Sequence, residues 1–196
     1  MKIKTANLVL LMVLGILWIA PDAWAHVSAN VKLLSTKETV QRLLPKGKLF
    51  VKEVDLTPGQ LEKLRSFDNW DTRAAHFKFF ISRDPQGRLQ RVMISMVEFT
   101  RHGPVVVAIA IDPQGTIVGA ILTDTQVEPL TWVEPLLKKN FMQAFQGKNS
   151  QMPLTLDPQW QQGFSRISQD FALVIANAVK KSAQLFDVVF EPGSAP

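Results

Sequence analysis

From Phe77 onward the apolar positions fall into four runs divided by turn chemistry. Phe77, Phe79 and Ile81 alternate with Lys78 and Ser82, the two-residue period of a strand. Asp84-Pro85-Gln86-Gly87 follows, and the same tetrapeptide recurs as Asp112-Pro113-Gln114-Gly115. Asp first, Pro second and Gly fourth suit a type I turn that ends in a left-handed glycine. Each copy lies between strand-like runs and so predicts a hairpin. Arg101-His102-Gly103-Pro104 predicts a third turn. The strands fall at roughly 77–82, 88–99, 104–111 and 116–124, a four-stranded antiparallel meander. The third, PVVVAIAI, carries no polar side chain, and the fourth, TIVGAIL, almost none. Strands of that kind are covered on both faces.

Helical periods flank the meander. Ser35-Thr36-Lys37-Glu38 reads as a capping box ahead of Val40, Leu43 and Leu44, with Pro45 as the stop. LFVKEV at 49–54 is strand-like. Thr57-Pro58-Gly59-Gln60 opens a second helix, lined by Leu61, Leu64 and Phe67. After Pro135, LLKKNFMQAFQG predicts a helix with Leu137, Phe141 and Phe145 in register and Gly147 as its stop. In GFSRISQDFALVIANAVKK the residues Phe171, Val174, Ile175, Ala178 and Val179 share a face, Lys180 and Lys181 stand opposite, and Phe186 extends the stripe. The fold class expected is α+β: an antiparallel sheet with helices packed on it. A small helical segment spans 26–75, the main domain 76–190, and EPGSAP at 191–196 reads as a disordered tail.

The N-terminus changes the setting. Lys2 and Lys4 precede an apolar run, LVLLMVLGILWIA, then Pro21 and the small-residue triplet Ala23-Trp24-Ala25. This predicts a signal peptide over 1–25 and an extracytoplasmic, periplasmic-type location. The formal net charge is +5, with the basic residues scattered, which gives no footprint for nucleic acid. There is no cysteine and no tyrosine. Disulfides, thiol nucleophiles, iron–sulfur clusters and thioether haem attachment are excluded, and redox chemistry would need another cofactor.

The order of elements, with three segments, carries a resemblance. GPVVVAIAIDPQGTIVGAILTDTQVEP has a glycine-proline turn, a buried strand, an Asp-x-x-Gly hairpin and a following Glu-Pro. FMQAFQGKN has an aromatic-x-x-Phe-x-Gly-Lys pattern. ETVQRLLPKGKLFVKEVDLTPGQ looks like the lead-in of single-domain exported proteins. Together they resemble the FMN-binding domain family, found in periplasmic subunits of Rnf- and Nqr-type electron-transport complexes and in nitrous-oxide-respiration regulators. The resemblance runs from about Lys37 to Leu185. It implies FMN as cofactor, electron transfer as function, and a membrane or periplasmic redox partner. It also implies that the phosphate sits at the start of the last helix, where the family carries Ser-Gly-Ala-Thr and the threonine bears the flavin. Here that stretch is Ser165-Arg166-Ile167-Ser168-Gln169-Asp170-Phe171; an ungapped match sets Gln169 in the threonine's place, a one-residue slip sets Ser168 there, a match of Ile-Ser to Ile-Ser sets Phe171 there, and no register restores the glycine and alanine. The departure argues against covalent attachment.

Two readings stay open at these residues. In one, Ser165, Arg166, Ser168 and Gln169, with the helix-end amides, hold a phosphate non-covalently. In the other, Ser168 is an N-cap, Asp170 complements the helix dipole and Arg166 is solvated. The resemblance places Glu128 near the flavin; it fits a strand-to-helix loop equally. Lys148 suits a phosphate or a helix C-terminus. Trp132, Trp160 and Phe171 suit a flavin ring or a core. Two other functions remain: a flavin-free binding or structural module on the same fold, and copper binding through His26 as the first residue after cleavage, with His76 or His102 as partner.

Overall fold

The computed structural model describes residues 29–70 and 74–191. The signal-peptide segment, His26 and the tail beyond Glu191 lie outside those residues. The elements run β1 (Asn30–Lys32), α1 (Thr36–Leu43), β2 (Lys48–Asp55), α2 (Pro58–Arg65), β3 (His76–Arg83), β4 (Leu89–Thr100), β5 (Gly103–Ile111), β6 (Ile117–Gln126), α3 (Val127–Lys138), a 3₁₀ turn (Phe141–Phe145), α4 (Pro158–Gln161) and α5 (Arg166–Phe190). The architecture is α+β. One antiparallel sheet has the order β1-β6-β5-β4-β3-β2, with the expected meander as its four central strands.

Local chemistry sets the hairpins. In the first, the Gly87 N–H donates to the Asp84 carbonyl at 3.0 Å, and in the second the Gly115 N–H donates to the Asp112 carbonyl at 3.0 Å. Both glycines are left-handed, at φ 85° and 83°. The aspartate side chains finish the turns: Asp84 Oδ1 accepts from the Arg88 N–H, and Asp112 Oδ1 from those of Gln114 and Thr116. At the third turn Gly103 has φ 105°, a backbone conformation that strains any residue with a Cβ, and a Cβ there would also have to displace the Gln126 side-chain amide.

The segment before the meander does not stand apart as a helical unit. β1 pairs with β6 from Asn30↔Gln126 to Lys32↔Asp124, and β2 pairs with β3 over its whole length, Lys48↔Arg83 to Asp55↔His76. Both edges of the sheet therefore come from residues 29–55. The two short helices are capped as their sequences predict, with reciprocal boxes at Ser35/Glu38 and Thr57/Gln60.

Helices cover both sheet faces, as the all-apolar β5 requires. On one, α5 packs its Ile175, Val179 and Phe186 in a core with Phe79, Ile94, Val107 and Ile109. On the other, α1 sets Leu43 and Leu44 on Met93, Ala108 and Ala110. Small sheet residues permit that approach: a Cβ on Gly119 would lie 2.9 Å from Leu43 Cδ2.

The helix expected after Pro135 is displaced. α3 starts at Val127, contains Pro135 and ends at Lys138. Asn140 then takes a left-handed conformation, φ 58°, and a 3₁₀ turn follows with Phe141 and Phe145 buried. Asparagine reaches that region at low cost, so it ends the helix where a glycine would otherwise be needed. Pro129 lies in the first turn, where an N–H has no helical partner. Pro135 costs one bond, to the Thr131 carbonyl, without breaking the helix.

Candidate functional site

α5 begins with its own polar groups paired. Ser165, extended at φ −61° and ψ 154°, is the N-cap. Its Oγ accepts the Ser168 N–H at 3.2 Å and lies 2.8 Å from Ser168 Oγ. Ser168 is therefore not the cap. It stands three residues inside the helix, turned inward and 3% exposed. The Gln169 amide donates to the carbonyls of Gln161 at 2.6 Å and Phe164 at 3.1 Å, which ties α4 and its loop to α5. Arg166 is exposed and lines an open cavity of about 430 Å³ with Gln169, Asp170, Leu173, Thr155 and Leu156.

Lys148 borders a neighbouring cavity of about 180 Å³ that shares the Thr155–Leu156 wall and contains Asp157 and Trp160. Trp160 packs edge-on to Phe141 at 5.1 Å and stacks near Phe164 at 6.4 Å. It packs against the margin of the main core beside α4.

Glu128 lies elsewhere. The expected loop is the first turn of α3, and the Glu128 carboxylate sits 3.4 Å from His102 Nδ1. The His102 ring meets Trp132 edge-on at 4.7 Å, and Trp132 lies 5.5 Å from Phe171. Phe171 follows Ser168 by three positions and so shares its helix face. The start of α3 and the start of α5 thus meet through aromatic rings. The six residues singled out from the sequence form one group of four at α5, Lys148 across a shared wall, and Glu128 beyond the Trp132–Phe171 contact.

The donor set bears on FMN. A phosphomonoester needs donors, and the exposed Arg166 with the Arg166 and Ile167 amides of α5 would supply them, the Ser168 and Gln169 amides being already bonded to Ser165. Asp170 on the same cavity opposes an anion. Covalent attachment lacks a free hydroxyl at the head of α5: the Gln169 amide is engaged in two bonds, and the Ser168 hydroxyl is buried against Ser165. The residues fit a non-covalent phosphate and do not fit a phosphodiester link. For copper, His76 Nδ1 is 2.8 Å from Asp55 and His102 is held by Glu128. Among the described residues no group of three or more potential ligands converges as a metal site.

Sequence reasoning missed one constellation. Glu98 on β4 and Lys181 on α5 form an ion pair at 2.7 Å, with side chains 14% and 11% exposed. Glu98 Oε1 is fully buried, and its contact with the ammonium is a close ion pair without aligned hydrogen-bond geometry. Lys181 also lies 5.9 Å from the Trp70 ring centre. A carboxylate within the apolar run MVEF was the available signal. By polarity Lys181 stands opposite the apolar stripe of α5, whereas its long stem lies inward along the apolar surface, leaving the side chain 11% exposed.

Comparison with known proteins gives no assignment: no family model matches the chain, and no curated protein matches it significantly in sequence.

Proposed function

We propose that the chain is an exported FMN-binding protein of electron transfer that holds its flavin non-covalently. The observation that supports this reading is the contact of α3 and α5 near their N-terminal ends, between the Trp132 and Phe171 rings of their second turns. Those are the two segments that the family resemblance associates with flavin, and they lie far apart in sequence. The Arg166 side chain with the Arg166 and Ile167 amides would hold the phosphate, and the half-buried Trp132 with His102 would offer an aromatic edge to the ring. Bound FMN supplies the capacity to accept and pass on electrons between a membrane or periplasmic donor and its acceptor. The protein's own residues bind it, orient it and limit its contact with water.

A flavin-free binding or structural module is the second reading. The mutual satisfaction of Ser165 and Ser168 and the anchoring of Gln169 favour it, because the helix start then needs no ligand. Titration of the purified protein with FMN and with riboflavin separates the two. The flavin reading expects stoichiometric FMN uptake with quenched flavin fluorescence, and full release on acid denaturation. Arg166→Ala would weaken FMN at least tenfold and leave riboflavin unchanged, since only FMN carries the phosphate. A protein that takes up neither flavin would overturn the proposal and leave the module.

A further inference from the structure

The sheet divides between β3 and β4. Their ladder runs from Arg83↔Leu89 to Phe79↔Ile94 and stops. Continued in register, it would set Lys78 against Ser95, Phe77 against Met96 and His76 against Val97. Instead the strand pairings of each lip among the described residues are on its outer side. His76, Phe77 and Lys78 pair with Asp55, Val54 and Glu53 of β2, and Ser95–Thr100 pair with Ala108–Gly103 of β5. Among the described residues, the inner edges of both lips have no strand partner.

A cavity of about 580 Å³ fills the opening, within the usual range for ligand clefts. Trp70 and Phe77 wall one side, Val97 and Phe99 the other, and Glu98 with Lys181 lies at the α5 side. Phe99 is 81% exposed on this rim, and Val97 is exposed beside it. Unpaired strand edges next to exposed apolar side chains template an added strand.

The charges select the occupant's chemistry. Glu98 and Lys181 neutralise each other, so an anionic or cationic ligand would leave one charge uncompensated in a partly dry site. A neutral ligand whose donors and acceptors alternate along its length matches both the ion pair and the strand edges. A peptide main chain has that pattern. We propose that the wedge binds an extended, uncharged peptide of a partner protein by strand addition to the edge of β4 that no described strand covers, with alternate apolar side chains against Val97 and Phe99. Five added residues would span about 17 Å. This proposal stands independently of the flavin reading.

The test begins with a phage library of random heptapeptides panned against the protein, followed by calorimetric titration of the enriched sequences as free peptides. Two changes read the binding mode. N-methylation at alternate residues of the peptide removes main-chain donors and keeps every side chain, and is expected to weaken binding at least tenfold in one of the two phases. Phe99→Asp, at an exposed position, is expected to weaken binding at least tenfold while the thermal melt stays unchanged. Hydrogen exchange is expected to slow at the amides of Met96–Thr100 on binding. The proposal fails if panning enriches no binder, if both N-methylated phases bind as tightly as the parent peptide, or if Phe99→Asp binds normally.

Discussion

Asp187 lies near the end of α5, and burial raises its carboxyl above the ordinary value of 3.8; the Ser150 hydroxyl and the charge of Lys63 offset part of that rise. Above that ordinary pKa the unfolded chain has released its proton, while the folded chain still holds it. Stability therefore falls as pH rises through the interval between the two values, and the loss is complete above the folded value. Asp187→Asn keeps an oxygen for Ser150 and removes the ionisation. The expected outcome is a higher melting temperature than the parent at pH 7, with the two curves converging below that ordinary aspartate value. Thermal melts at several pH values check it. A gap that is constant with pH, or a less stable variant at pH 7, would show that packing rather than charge governs this site.

At the scale of elements, the contact between β4 and α5 carries the Glu98–Lys181 pair. Removing one member of a largely buried pair strands the other, at about 3–5 kcal/mol, whereas replacing both with apolar residues of similar size is often neutral. Lys181→Met alone and Glu98→Leu alone are each expected to destabilise by several kcal/mol, near the low end of that range because both groups retain slight exposure. The double variant is expected to recover most of the loss. Denaturant unfolding of all four proteins closes the cycle, and equal, additive losses would deny the coupling. Legibility in the sequence divides along the same line. The two Asp-Pro-Gln-Gly hairpins and both capping boxes were readable because their chemistry is complete within four residues. The end of α3 was not, because Pro135 resembles a breaker and the true stop, Asn140, works through an uncommon left-handed backbone. At the candidate site, the serines at the head of α5 were found, but which of them caps depended on a side-chain rotation. The inward course of Lys181 depended on a strand more than eighty positions away, beyond any local pattern.

At the scale of the molecule, the question is whether residues 76–190 constitute a domain with a separable leader. The strand pairings argue that they do not. Removing residues 29–75 would strip β2 from all eight residues of β3 and β1 from the end of β6. It would also uncover Met93, Ala108 and Ala110, which α1 shields through Leu43 and Leu44, and delete Leu56 and Leu64 from the main core. A large buried aliphatic side chain contributes about 1.5–3 kcal/mol by area, and a domain's net stability is only about 5–15 kcal/mol. Loss of these four leucines alone is of the same size as that total, before any strand pairing is counted. A fragment comprising residues 76–190 is therefore expected to lack cooperative unfolding, to bind a hydrophobic dye, and to aggregate through the bared edge of β3. A chain beginning at residue 29 is expected to melt in one transition. Circular dichroism melts of the two proteins decide the matter: a sharp, reversible transition in the shorter fragment would mean that the α5-side core suffices and that the first two helices and strands are an accessory layer.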